Sequence, residues 1–145
     1  MKVVVQRVKK ASCKVDGKIT GEIKQGLMLL VGFTNGDNAE TLEKMVQKIV
    51  NLRIFDDENG IMNMSVLDVD GSILSISQFT LYAETKKGNR PSYVNAMKGE
   101  EAIKLYEMFN DELSKVIHVE TGIFGEDMDI SLVNSGPVTI ILERW

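Results

Sequence analysis

Two short stretches hold the residue types that chemistry needs. Ser75-Ile76-Ser77-Gln78-Phe79-Thr80-Leu81 sets hydroxyls and an amide among apolar neighbours. Read as a regular strand, it puts Ser77, Phe79 and Leu81 on one face and Gln78, Thr80 and Tyr82 on the other. Buried hydroxyls and amides must find partners. A polar site satisfies that need, and cross-strand Ser/Thr hydrogen bonding satisfies it equally well. The second stretch, Ser131 to Leu142 (SLVNSGPVTIIL), reads as a strand interrupted by Gly136-Pro137. Proline cannot donate to a ladder and glycine weakens a strand interior, so the residues alone suggest a bulge or an edge-strand proline.

Other chemistries lack their parts. The one histidine, His118, falls beside Val119 in a predicted strand and cannot build a two-histidine metal site. No G-x-S-x-G elbow is present, and neither phosphate-binding glycine pattern occurs, which argues against ATP and nicotinamide chemistry. The single Cys13 excludes an internal disulfide and a cysteine cluster for zinc. A net charge of −4 argues against a large basic nucleic-acid surface but is compatible with contact to a nucleic-acid end. From charge alone, the basic run Lys86-Lys87-Gly88-Asn89-Arg90 reads as a solvated loop. Asp56 to Gly60 reads as a solvated turn, because its acidic residues lack the ligand spacing of an EF-hand. No apolar stretch approaches the length of a membrane span, and Lys2, Gln6, Arg7, Lys9 and Lys10 interrupt the N-terminal apolar run. A cytoplasmic protein is expected.

The elements that must position these residues follow from periodicity. The 145 residues, 43% apolar and 26% charged, suit a single folded domain over 1–145. Val3 and Val5 alternate in a first strand, and Ser12 to Val15 form a second. Asp16-Gly17 turns that strand into Lys18 to Ile23. Gly26 to Phe33 is a continuous apolar run suited to burial on both faces. Asp37 and Glu40 have capping-box spacing ahead of a helix with Leu42, Met45, Val46, Ile49 and Val50 on one face. A second helix fits Glu100 to Val116, with Ala102, Tyr106, Phe109 and Leu113 buried and Leu105 and Met108 widening the stripe. Ser72 to Tyr82 reads as a strand, and Ile117 to Thr121 and Asp129 to Glu143 close the sheet system. This order predicts an α/β protein of the α+β type. Its mixed or antiparallel sheets form a sandwich or partial barrel with two helices on one side.

Several motifs in order carry a resemblance across essentially the whole chain. They are VVQRV (Val4 to Val8), NLRIF (Asn51 to Phe55), SQFTLYA (Ser77 to Ala83), KGNRPS (Lys87 to Ser92), ETGIFGEDM (Glu120 to Met128) and SLVNSGPVT (Ser131 to Thr139). On these the chain resembles the D-aminoacyl-tRNA deacylase family, the type described on D-tyrosyl-tRNA. A related deacylase class carries Pro-Gln-Ala-Thr in place of Ser77-Gln78-Phe79-Thr80, and this chain does not match it. Ser135 stands where many relatives have Asp, a departure expected to change activity little.

The resemblance implies hydrolysis of the ester joining a D-amino acid to the terminal adenosine of tRNA; glycine mischarged on tRNA(Ala), having no Cβ to collide with a steric filter, is expected to be cleaved as well. It implies a homodimer in which Gly136-Pro137, with a cis peptide, reaches into the partner's pocket. It implies no cofactor, no metal and no membrane. A site that accepts many D side chains must read the handedness at Cα, and a rigid backbone can do so by clashing with the L substituent. By resemblance, Phe79 and Thr80 supply amides for the oxyanion, while Ser77 and Gln78 orient the adenosine or the amino group. Thr80 acts either as nucleophile or, the favoured route, as a positioning group beside a water activated by the ribose 2′-hydroxyl. Phe124 and Met128 are expected on the adenine, unless they are ordinary core. Arg7 is expected to brace the Gly-Pro segment, with a surface ion pair as its plainer role. Lys86, Lys87 and Arg90 are the natural contacts for acceptor-stem phosphates. Trp145 is left to a dimer surface or to solvent. The competing readings are a small-molecule ester hydrolase or deaminase, and a non-catalytic tRNA-binding module.

Overall fold

One long hairpin frames the molecule. The structure, a computed structural model, describes residues 1–143; Arg144 and Trp145, and the expectation for Trp145, lie outside the described residues. The first strand, β1 (Lys2–Val15), is continuous where the sequence suggested two strands. Its inward residues change phase: Val3 and Val5 join one core, whereas Val8, Ala11, Cys13 and Val15 join another. The polar run between them marks a crossing from one core to the other, and the chain does not break there. Asp16 and Gly17 take positive φ values of 50° and 76° and turn the chain into β2 (Lys18–Ile23). The strand β3 (Gly26–Gly32) then continues along the same edge of β1, both pairings being antiparallel. As expected for its apolar run, β3 is buried on both faces: Leu27, Leu29 and Val31 meet the first core and Met28 the second.

The helix α1 (Ala39–Asn51) buries the predicted stripe from Leu42 to Val50. Its cap differs from the capping box read in the sequence. Asn38 is the N-cap, paired reciprocally with Thr41. Asp37 is instead buried against the α-amino group of Met1 at 2.6 Å, and also accepts the Thr34 amide at 2.8 Å. Glu40 pairs outward with Lys44 at 2.7 Å. Beyond α1, the short strands β4 (Phe55–Asp56) and β5 (Met62–Met64) form a small hairpin. The Asp57 carboxylate accepts the amides of Asn59 and Ile61 in its exposed turn.

The strand β6 (Ser72–Ser77) lies parallel to β3, and β7 (Val119–Thr121) lies parallel to β6. Between them, α2 (Gly99–Ser114) buries Ala102, Tyr106, Phe109 and Leu113 as predicted. Leu105 packs at the margin, but Met108 is 42% exposed and does not widen the stripe. His118 stands just before β7 and pairs with Glu120 at 2.9 Å. The last strand, β8 (Asp129–Glu143), runs antiparallel along the free edge of β1. The outcome is a mixed six-stranded sheet with both helices over the first core. The sheet curls until its ends approach, with Thr20 Oγ1 donating to Thr121 O at 3.3 Å. A Cβ at the neighbouring Gly21 would lie 2.6 Å from Thr121 O, so this approach requires glycine. The partial-barrel α+β expectation holds.

Candidate active site

The strand read across Ser72 to Tyr82 stops at Ser77. Gln78 leaves the sheet with its amide still donating to Val31 O at 2.7 Å, and Phe79–Tyr82 form a 3₁₀ turn. The physical reason lies on β3. Gly32 has no side chain, and a Cβ there would sit 2.9 Å from Gln78 O and 3.2 Å from Leu81 Cβ. The turn therefore settles onto the end of β3, and the two-face division of Ser77 to Tyr82 is replaced by a corner. Lys2 secures the far end of the turn. Its ammonium donates to Leu81 O at 3.4 Å and lies 5.1 Å from the centre of the Tyr82 ring.

Ser77, Gln78 and Phe79 line one side of a cleft of about 320 Å³, and Phe124 and Gly125 line the other. The Phe124 ring leans on Tyr106 at 5.8 Å. Tyr106 donates its hydroxyl to Ser75 O at 2.7 Å, and burial pushes its phenol above the ordinary range, so it remains a donor. Thus α2, β6 and the Phe124 loop are tied together behind the cleft. Thr80 follows Phe79 in the turn, half-buried and not among the residues that line the cleft; its hydroxyl oxygen accepts from the side-chain amide of Gln78. The amides of Phe79 and Thr80 head the 3₁₀ turn, where a helical backbone has no acceptor of its own for its N–H groups.

Met128 is not brought to this cleft with Phe124. It packs on the second core, and a Cβ on Gly122 would collide with its sulfur.

Gly136 and Pro137 sit where β8 loses register with β1. Gln6 faces Thr139 and Val8 faces Asn134, so Ser135 to Val138 bulge opposite Arg7. The Gly136–Pro137 peptide is cis, and Gly136 has φ +119°. Arg7 spans the bulge: Nε donates to Ser135 O at 3.1 Å and Nη1 to Ile54 O at 2.8 Å, with Asp56 3.5 Å away. Asn134 Nδ2 closes the bulge on Val138 O at 3.1 Å. Both Gly136 and Pro137 are exposed and lie outside the cleft of their own chain.

Lys86, Lys87 and Arg90 occupy an exposed loop whose base is closed by two main-chain hydrogen bonds between Glu84 and Ser92. The loop leaves directly from the 3₁₀ turn and returns through Tyr93, whose ring meets Phe79 edge to face at 5.0 Å. Sequence reasoning missed Tyr93, Gly32 and Met97 of this region. Gly32, closing an apolar run, was the one with a signal: a glycine at a strand end permits a close approach.

The model of the D-Tyr-tRNA(Tyr) deacylase family matches residues 4–143. Among solved structures, the chain is similar to one named c-Myc DNA Unwinding Element Binding Protein. That match has 43% identity and a TM-score of 0.94, covering 99% of this chain and 98% of that one. A probable eukaryotic D-amino acid tRNA deacylase shares the fold at 17% identity, with a TM-score of 0.83 and 97% of each chain covered. With a family match running nearly from end to end, the chain belongs to the D-Tyr-tRNA(Tyr) deacylases, hydrolases of the ester bond of D-aminoacyl-tRNA.

Proposed function

We propose that this deacylase performs chiral proofreading by main-chain exclusion. The cleft between the Ser77–Thr80 corner and Phe124 receives the terminal adenosine and its ester. Gly136-Pro137 of a second copy closes the cleft, because each chain's own pair is exposed and does not line its own cleft. The observation that carries this reading is the fixed bulge at Gly136-Pro137, held from Ser135 by Arg7 and from Val138 by Asn134. A main chain so held cannot yield to an L substituent at Cα, and it has no stake in what a D substituent bears. Glycine lacks Cβ and escapes the clash, so glycine mischarged on tRNA(Ala) is a substrate too.

For the chemical step, the amides of Phe79 and Thr80 receive the negative charge that develops on the ester oxygen. Such donors are each worth about 3 kcal/mol. Thr80 has a primary amide as its hydrogen-bond donor, and a primary amide cannot take up a proton. This favours a positioned water assisted by the ribose 2′-hydroxyl over a threonine nucleophile. Ser77 and Gln78 orient the adenosine or the amino group, and Phe124 offers the ring face on which an adenine packs without regard to tRNA sequence. Lys86, Lys87 and Arg90 contact phosphates of the acceptor end.

The test is release of tyrosine from D-tyrosyl-tRNA and L-tyrosyl-tRNA in parallel, with a free D-tyrosine ester alongside. Rapid release from D-tyrosyl-tRNA alone is expected. Equal turnover of the free ester would mean a small-molecule hydrolase, and tRNA binding without release would mean a binding module.

A further inference from the structure

We propose that Tyr93, with Phe79, is a stacking platform for the unpaired nucleotide preceding the terminal adenosine. This rests on the deacylase reading of the cleft and extends it by one nucleotide. Phe79 lines the cleft yet is 56% exposed, and Tyr93, against its ring, is 41% exposed. Val94 beside them is 76% exposed. Folded chains bury aromatic rings for the area they remove from water, so an exposed pair leading out of a cleft is a surface for something flat. The two rings meet edge to face, with centres 5.0 Å apart and planes at 68°, so the edge of one ring props the other.

The charge around the pair selects the partner. Lys86, Lys87 and Arg90 stand on the loop that ends at Tyr93, and among the described residues none of them is in an ion pair. Glu84, at the loop base, accepts the Lys86 amide at 2.8 Å. The two hydrogen bonds between Glu84 and Ser92, with Ala96 N donating to Tyr93 O at 3.0 Å, fix the main chain under the ring. Aromatic faces beside unpaired cations, in a chain of net charge −4, fit single-stranded RNA contacted over a few nucleotides and not a long duplex.

The experiment measures kcat and KM on D-tyrosyl-tRNA with an intact or an abasic penultimate nucleotide, for the wild type, Y93A and Y93F. Removal of the base should cost the wild type about tenfold in kcat/KM, through KM. Y93A should lose about as much on the intact tRNA and be indifferent to the missing base, and Y93F should behave as the wild type. A wild type indifferent to the missing base overturns the platform, as does a Y93A enzyme that still responds to it. Where Y93A fails to fold, Y93L, which keeps the bulk without the ring, takes its place and should show the same loss and the same indifference to the missing base. A wild type that releases no D-tyrosine from intact tRNA would overturn the deacylase reading of the cleft instead.

Discussion

At Thr80 the hydroxyl faces a side-chain amide and not a base, so its removal should cost position more than chemistry. T80A is expected to lose about tenfold or less in single-turnover rate; a loss beyond about a thousandfold would mark a nucleophile. At Gly136 the proposed role belongs to the main chain instead. Its φ of +119° and an added Cβ 2.7 Å from Arg7 Nη2 both oppose substitution. G136A should destabilise by about 1–3 kcal/mol in denaturant titration and raise release from L-tyrosyl-tRNA relative to D-tyrosyl-tRNA. The residue types of the site were legible in the sequence, because hydroxyls and an amide amid apolar neighbours require an explanation. Their grouping was not. Whether Ser77, Gln78 and Phe79 alternate or gather depends on Gly32, which is remote in sequence and adjacent in space.

Among the elements, α1 separates local propensity from tertiary context. Asp37 and Asn38 can both cap a helix. The buried amine of Met1 takes Asp37 and leaves the cap to Asn38. N38A should therefore cost about 1 kcal/mol in urea denaturation, while E40Q, on an exposed pair with Lys44, should cost little. The turn leading into β6 depends on Asp68, whose carboxylate accepts the Ser65 amide at 2.8 Å while its own amide donates to Ser65 Oγ at 3.2 Å. The Ser65 amide, followed by its hydroxyl, holds the Asp68 carboxyl below the ordinary carboxylate range. The unfolded chain keeps the ordinary value. The stabilisation is therefore complete above that value and is lost as pH falls through the lower folded one. Thermal melts should show the wild type above D68N at neutral pH, with the gap closing in acid. The strands show the same division between local and distant causes. Alternation at Val3 and Val5 located the start of β1, and strand-favouring residues located β8, but the continuity of β1 through its polar run depends on pairing along both edges.

On the scale of the whole molecule, element order was enough to predict a mixed sheet with two helices on one side. It could not show the curl that brings Thr20 to Thr121, since that contact joins segments distant in the chain. The curl encloses the second core, the helices cover the first, and the cleft opens where β3 and β6 end against α2. The Gly136-Pro137 bulge is exposed and does not line that cleft. Lys86, Lys87 and Arg90 stand exposed on the loop that ends at Tyr93, and the proposed docking of tRNA ends there should weaken with salt along a shallow slope. The central claim is that a main-chain clash, with no grip on the side chain, sets the selectivity. Parallel deacylation of D-tyrosyl-, L-tyrosyl- and glycyl-tRNA tests it most directly. Release of D-tyrosine and glycine with L-tyrosyl-tRNA spared is the predicted result; glycyl-tRNA left intact, or both tyrosyl enantiomers consumed alike, would contradict it.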